Sequence, residues 1–309
     1  MKTFTLSVLL CLFATFNLSA QWVRQTAPGS TSYLNSVNFI NKNSGVLTGW
    51  GIDAANSKVT ARAYFTTNGG TTWNTASVPD SSRWIVSAEY ITDQIVYGAG
   101  AVNLVTDNNG AVFNSEGIDF TKGAFFKSTN SGLSWNEYGE MPADCYNITH
   151  SDFVNSNTGM AIGWLADELI AIKTNVLKTT NGGLSWVKTI NDNVIRELRS
   201  VTYVNENLAF ATGFEYTDTT RKGIVIKTTN GGLNWATIMH DSNRYAKVFF
   251  INNTTGFLAG NNSSSGMVLK TTNQGNSWST ISERDSLIML GIDFYQESGV
   301  GIAYGVKFL

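Results

Sequence analysis

The sequence predicts an all-β fold: a β-propeller of four-stranded antiparallel blades, at least six, with seven open for the full-length protein. Three observations predict it. An eight-residue motif recurs five times at 66–73, 128–135, 179–186, 228–235 and 271–278. Each copy is preceded by an apolar strand pattern, an Asn/Asp-rich turn and a small-residue strand ending in Gly. No segment sustains apolar residues at i, i+3, i+4 and i+7, so a helical solenoid is excluded.

The octads read TTNGGTTW, STNSGLSW, TTNGGLSW, TTNGGLNW and TTNQGNSW. Their tryptophans, Trp73, Trp135, Trp186, Trp235 and Trp278, are spaced by 62, 51, 49 and 43 residues. Four short strands in that length match a propeller blade. The apolar strand comes first and the Gly-ending strand second. A third strand ends in Lys in four units (FFK, VLK, VIK, VLK), and the fourth starts at the Trp. The Gly and Ala of the second strand fit a crowded position, which places that strand near the axis.

The octad is a hairpin loop between strands three and four. Asn68, Asn130, Asn181, Asn230 and Asn273 are placed to bond nearby backbone N–H groups. Gly70, Gly132, Gly183, Gly232 and Gly275 supply φ > 0 without a Cβ clash. The leading Thr or Ser adds a hydroxyl bond, and the Trp packs on a neighbouring blade.

Composition agrees. Charged residues are 14% of the 309-residue chain, against about 25% in ordinary globular proteins. Aromatics are 12%, and there are 29 Gly. A net charge of -2 carries no electrostatic footprint for nucleic acid. Residues 1–20 read as a signal peptide: Lys2, the apolar run Leu6–Phe16, then Leu18-Ser19-Ala20. Leu10 is too large for a lipobox at Cys11. Residues 21–309 form the propeller domain, without stable membrane insertion, and the protein is expected outside the cytoplasm, extracellular or periplasmic, as a monomer. Gln21-Trp22-Val23-Arg24 reads as a further fourth strand that completes the last blade. A sixth unit begins near 289 and no sixth octad follows, so the domain is expected to be incomplete at its C-terminus.

The octads resemble the Asp-box, or BNR, repeat S-x-D-x-G-x-T-W of sialidases, sortilin-type receptors and xyloglucanases, with Asn in place of Asp in all five. The T-x-N-G-G-x-x-W form is most similar to secreted bacterial relatives of the photosystem II assembly/stability factor. That resemblance implies a propeller. It leaves function open, because the motif serves enzymes and non-enzymes alike.

Catalytic signatures are sparse. The sialidase Arg-Ile/Leu-Pro motif is absent, and the three prolines are Pro28, Pro79 and Pro142. Loop carboxylates for a two-carboxylate hydrolase are Asp53, Asp107, Glu116, Asp119, Asp167, Glu168, Glu215 and Asp218, which equally read as solvated loop charges. Two mature histidines, His150 and His240, and the lone Cys145 make no zinc pattern, and DNNG at 107–110 lacks the EF-hand spacing. No cofactor is expected.

Length varies between strands two and three, at 51–63, 102–124, 164–175 and 214–223. These loops share the face opposite the octads, where a rigid scaffold presents them for binding. The candidate ligand-binding residues are Trp50, Asp53, Trp164, Asp167, Glu168, Phe214, Tyr216 and Arg221. Trp50, Trp164 and Phe214 sit at equivalent places, just after the Gly of strand two. Aromatics beside carboxylates suit a protein or glycan partner; as caps of the blade edges they need none. The sequence therefore predicts a non-catalytic binding propeller. A glycoside hydrolase completed beyond Leu309 and an assembly factor for a membrane complex are the alternatives.

Overall fold

The computed structural model describes residues 32–53, 58–103, 121–165, 173–190, 194, 196–216, 220–295 and 300–307. The leader, Trp22 and the loop residues Asp107, Glu116, Asp119, Asp167, Glu168 and Asp218 lie outside them.

The described chain is all β. Blade 1 holds β1 (Ser32–Phe39), β2 (Gly45–Ile52), β3 (Val59–Thr66) and β4 (Asn74–Thr75). Blade 2 holds β5 (Ser82–Tyr90), β6 (Val96–Asn103), β7 (Thr121–Ser128) and β8 (Asn136–Glu137). Blade 3 holds β9 (Cys145–Phe153), β10 (Gly159–Leu165), β11 (Lys173–Thr179) and β12 (Val187–Lys188). Blade 4 holds β13 (Arg196–Tyr203), β14 (Ala209–Tyr216), β15 (Arg221–Thr228) and β16 (Ala236–Asp241). Blade 5 holds β17 (Arg244–Phe250), β18 (Gly256–Asn261), β19 (Ser265–Thr271) and β20 (Ser279–Asp285). The sixth unit shows β21 (Leu287–Tyr295) and β22 (Val300–Lys307). Five sheets are thus four-stranded antiparallel meanders and the sixth is two-stranded.

The octads act as the sequence predicts. Each Asn Oδ1 accepts the backbone N–H four residues on, at 2.9–3.0 Å. The leading hydroxyl accepts the N–H of the φ-positive Gly at 2.9–3.0 Å. Gly70, Gly132, Gly183, Gly232 and Gly275 have φ of 84, 88, 90, 90 and 73°. Trp135 lies in one buried cluster with Val46 of blade 1, and Trp278 stands edge-on to Phe210 of blade 4. Each octad therefore locks its own hairpin, and those of blades 2 to 5 also fill the seam with the preceding blade, whereas Trp73 meets Phe39 of its own blade. Gly69, Gly182 and Gly231 donate to the carbonyls of Asn43, Asn157 and Asn207 in the turns between strands one and two. Those turns and the octads share one face, which leaves the long loops on the other.

The placement of strand two near the axis is corrected. A central cavity of about 1500 Å³ is lined by residues of all six first strands. Each first strand carries a bulge whose extra residue is Asn35, Val86, Thr149, Arg199, Ala246 or Leu290. All six residues line the channel. Apart from Gly163, the second-strand glycines that pair beside the bulges answer them, not the axis. A Cβ at Gly49, Gly100 or Gly213 would overlap the carbonyl oxygen of Tyr33, Trp84 or Glu197.

The core sits between blades. Each buried cluster joins strands two and three of one sheet to strand one of the next, such as Met160 and Val176 with Leu198 and Val201. Polar clamps fix the same seams. The N–H groups of Tyr90, Phe153 and Tyr203 donate to Asn38 Oδ1, Glu89 Oε2 and Asp152 Oδ2 of the preceding blade, at 3.0, 3.2 and 2.5 Å.

Candidate functional site: the long-loop mouth of blades 3 to 5

Antiparallel pairing of β13, β14 and β15 brings the ends of three strands together on the long-loop face. Glu197 pairs with Phe214, and Tyr216 with Arg221. Glu197 collects four bonds. It accepts from Arg199 Nε and Nη2 at 3.1 and 2.7 Å, Arg221 Nη2 at 2.9 Å and the Tyr216 hydroxyl at 2.5 Å. Burial pushes its carboxyl up, but the Tyr216 and Arg199 hydrogen bonds and the charges of Arg199 and Arg221 outweigh it, so Glu197 titrates below the usual carboxylate range. Tyr216 is held above the usual phenol range, by burial first and by its bond to Glu197.

Phe214 is buried, at 4% exposure. The guanidinium carbons of Arg221 and Arg199 stand 3.7 and 5.0 Å from its ring centre. A cavity of about 470 Å³ opens beside this group, lined also by Trp164, Arg244 and Thr149. Trp164 meets Tyr146 edge-on at 6.2 Å. Its indole N–H and the Thr149 hydroxyl are buried without a hydrogen-bond partner among the described residues. Arg199 and Thr149 line the channel as well, so this cavity is continuous with the channel mouth.

Of the residues expected from sequence, Trp164, Phe214 and Arg221 line one cavity, with Tyr216 joined through Glu197. Trp50 is elsewhere, lining the channel and stacked on Tyr33 at 4.1 Å. Asp53 follows β2, where its N–H donates to the Lys58 carbonyl at 2.8 Å. Phe214 offers no open face for stacking on a sugar. Sequence reasoning missed Glu197, Arg199, Arg244 and the charged channel residues Glu89, His150, Asp152 and Lys247. It looked for function in loops, while these lie on first strands read only for their apolar members. The available signal was a charge recurring inside an apolar strand, as in REL, SAEY, HSDF and AKVFF.

Among the described residues no three His, Cys, Asp or Glu side chains group as metal ligands. No helix of the described residues is long and apolar enough to cross a membrane.

No family model and no curated protein matches the chain. Solved structures do. A protein of unknown function from Dyadobacter fermentans aligns over 84% of this chain and 85% of its own, at 13% identity and a TM-score of 0.54. The GH74 enzyme of Niastella koreensis aligns over 80% of this chain at 15% identity and a TM-score of 0.51. The chain spans 38% of that enzyme's length. YCF48 from Cyanidioschyzon merolae aligns over 91% of this chain and 95% of its own, at 13% identity and a TM-score of 0.47. At such identities the likeness is one of fold, and the fold is a β-propeller.

Proposed function

We propose that the protein is an exported, non-catalytic β-propeller that binds a carboxylate-bearing segment of a protein partner at the long-loop mouth of blades 3 to 5. One observation carries this reading: donors outnumber acceptors there. Three guanidiniums line this mouth with one carboxylate: Arg199 and Arg221 bond Glu197, and Arg244 lines the same cavity. Two further donors, the Trp164 indole and the Thr149 hydroxyl, have no partner among the described residues. A carboxylate accepts from such a set in a bidentate manner, and part-burial strengthens each bond. Export rests on the leader at residues 1–20.

The test is calorimetric titration of the protein with a hexaglutamate peptide, a neutral Ser/Gly peptide and a neutral β-glucan oligosaccharide. Hexaglutamate alone should bind, with affinity falling at least tenfold in R221Q and in R199Q. Preference for the oligosaccharide, or acidic binding indifferent to both variants, would overturn the reading. Release of new reducing ends from the oligosaccharide would replace it with a hydrolase.

A further inference from the structure

The long-loop mouth carries a ring of equivalent positions: in each first strand, the residue facing the one just after the second-strand Gly. Tyr33, Trp84, Asn147, Glu197 and Arg244 take it in blades 1 to 5, opposite Trp50, Ala101, Trp164, Phe214 and Asn261. The ring is charged in blades 4 and 5 and aromatic in blades 1 and 2. The arginine site described above uses only its charged part.

Trp84 differs from its counterparts. Tyr33, Asn147 and Glu197 each face a large ring across the sheet, whereas Trp84 faces the small Ala101. It is half-buried and lines the channel. Its orientation is fixed all the same. The indole N–H donates to Asn147 Oδ1 of blade 3 at 2.8 Å, and the guanidinium carbon of Arg83 stands 5.2 Å from its ring centre. Arg83 is itself held, its Nη1 donating to Asn103 Oδ1 at 3.2 Å.

We propose, resting on the acidic-segment reading above, that the bound segment also carries an aromatic side chain, which packs on Trp84 at the blade 2 side of the mouth. Three arguments carry this. The first is continuity. Asn147 holds Trp84 through its side chain and pairs in the sheet with Trp164, which lines the arginine cavity. Thr149 lines both that cavity and the channel. One extended segment therefore lies against both places. The second is charge. Arg83 continues the run of guanidiniums into blade 2, so an acidic segment meets positive charge beside Trp84 as well. The third is chemistry. A tryptophan already held in one orientation gives up little freedom on binding, and paired rings gain more than their buried area alone supplies. A sugar ring suits the place less, because it also needs partners for its hydroxyls. The amide oxygens of Asn147 and Asn103 beside Trp84 already accept from Trp84 and Arg83.

The test is calorimetric titration with acetylated, amidated peptides: Phe-Gly-Glu-Glu-Glu-Glu against Ala-Gly-Glu-Glu-Glu-Glu, and the same pair in reversed order. In at least one order the Phe peptide should bind the wild type fivefold or more tighter than the Ala peptide. In Trp84→Leu the two should agree within twofold. If that variant does not fold, Asn147→Ser serves; it releases the indole and should at least halve the advantage. R221Q should weaken the Phe and Ala peptides alike, so the ratio between them reports Trp84 and the shared loss reports the arginines. Equal binding of the Phe and Ala peptides in both orders, or an advantage that survives Trp84→Leu, would overturn this proposal and leave the arginine mouth standing. Displacement of the Phe peptide by the neutral β-glucan oligosaccharide would also overturn it and give the ring to a sugar. Binding by none of the peptides would overturn both readings.

Discussion

Arg221 lies over Phe214, its guanidinium carbon 3.7 Å from the ring centre, while its Nη2 reaches Glu197 at 2.9 Å. One buried ring and one buried carboxylate thus fix the same guanidinium from two directions. A cation over an aromatic face is worth about 0.5–2 kcal/mol, and the hydrogen bonds to Glu197 add direction. Phe214→Leu should therefore keep the fold, lower stability by about 1 kcal/mol and weaken acidic-peptide binding more than the stability loss explains. Denaturant titration and calorimetry on one preparation check this. Unchanged affinity would show that the ring does not position Arg221.

The octads give a sharper contrast. Asn181 Oδ1 accepts the N–H of Ser185 at 3.0 Å, and its Nδ2 donates to the Ser185 hydroxyl at 2.9 Å. Asn181→Ala strands these groups and should cost about 1–2 kcal/mol. Asn181→Asp should be within about 0.5 kcal/mol of wild type, because the Ser185 hydroxyl turns round and donates. Urea denaturation distinguishes the two. Equal losses would mean that the loop depends on the amide nitrogen.

The fold was legible because the octad is a local device. The hydrogen bonds that close its hairpin run between residues two to four apart, so Thr179, Asn181, Gly183 and Trp186 announce a hairpin without knowledge of the rest of the chain. The axis was not legible. Gly49 and Gly213 look small because something crowds them, and sequence cannot say whether that is the channel centre or a bulged carbonyl in the adjacent strand. The mouth was half legible. Trp164, Phe214 and Arg221 follow from loop length and aromatic position, but Glu197 and Arg199 take their place from the β13 bulge, which has no residue signature. Glu89 and Asp152 meet only when two blades pack, and they lie 63 residues apart in the chain.

The bulge reading predicts a difference between two glycines at the same blade position. A Cβ on Gly213 would overlap the Glu197 carbonyl oxygen, a backbone atom that cannot move without breaking the sheet. A Cβ on Gly163 first meets the Leu177 side chain, whose Cδ1 lies 2.8 Å away and can rotate. Gly213→Ala should lose about 3 kcal/mol or fail to fold, and Gly163→Ala about 1 kcal/mol. Expression yield and thermal melting of the pair give the answer. Equal tolerance would mean that β13 relaxes its bulge.

Cys145 should be inert in the native protein. Its thiol is 1% exposed and donates to the Asn147 carbonyl, and burial pushes its pKa up to about 12. The thiolate is the reactive form, so an aromatic disulfide reagent at pH 8 should label it only at the rate of unfolding. Labelling within seconds, without denaturant, would contradict the burial of β9.

Stability against pH should separate two channel residues with opposite signs. Burial raises Asp152 from 3.8 to about 6, partly offset by the Tyr203 N–H and by Lys247. A raised folded value means that the folded state holds the proton more tightly. Asp152 therefore favours folding below about pH 4 and loses that contribution as pH rises through 6. Burial, with Lys247, lowers His150 from 6.5 to about 3. Its contribution is present above 6.5 and is lost as pH falls towards 3. Both side chains are only half-buried and line the channel, and solvent screening there trims each effect to about 1–2 kcal/mol. Urea denaturation of wild type, D152N and H150Q at pH 4.5 and 7.5 tests this. D152N should gain on wild type at pH 7.5 and match it at pH 4.5, whereas H150Q should gain at pH 4.5 relative to pH 7.5. A gap between D152N and wild type that does not change with pH would show that Asp152 ionises freely in the channel.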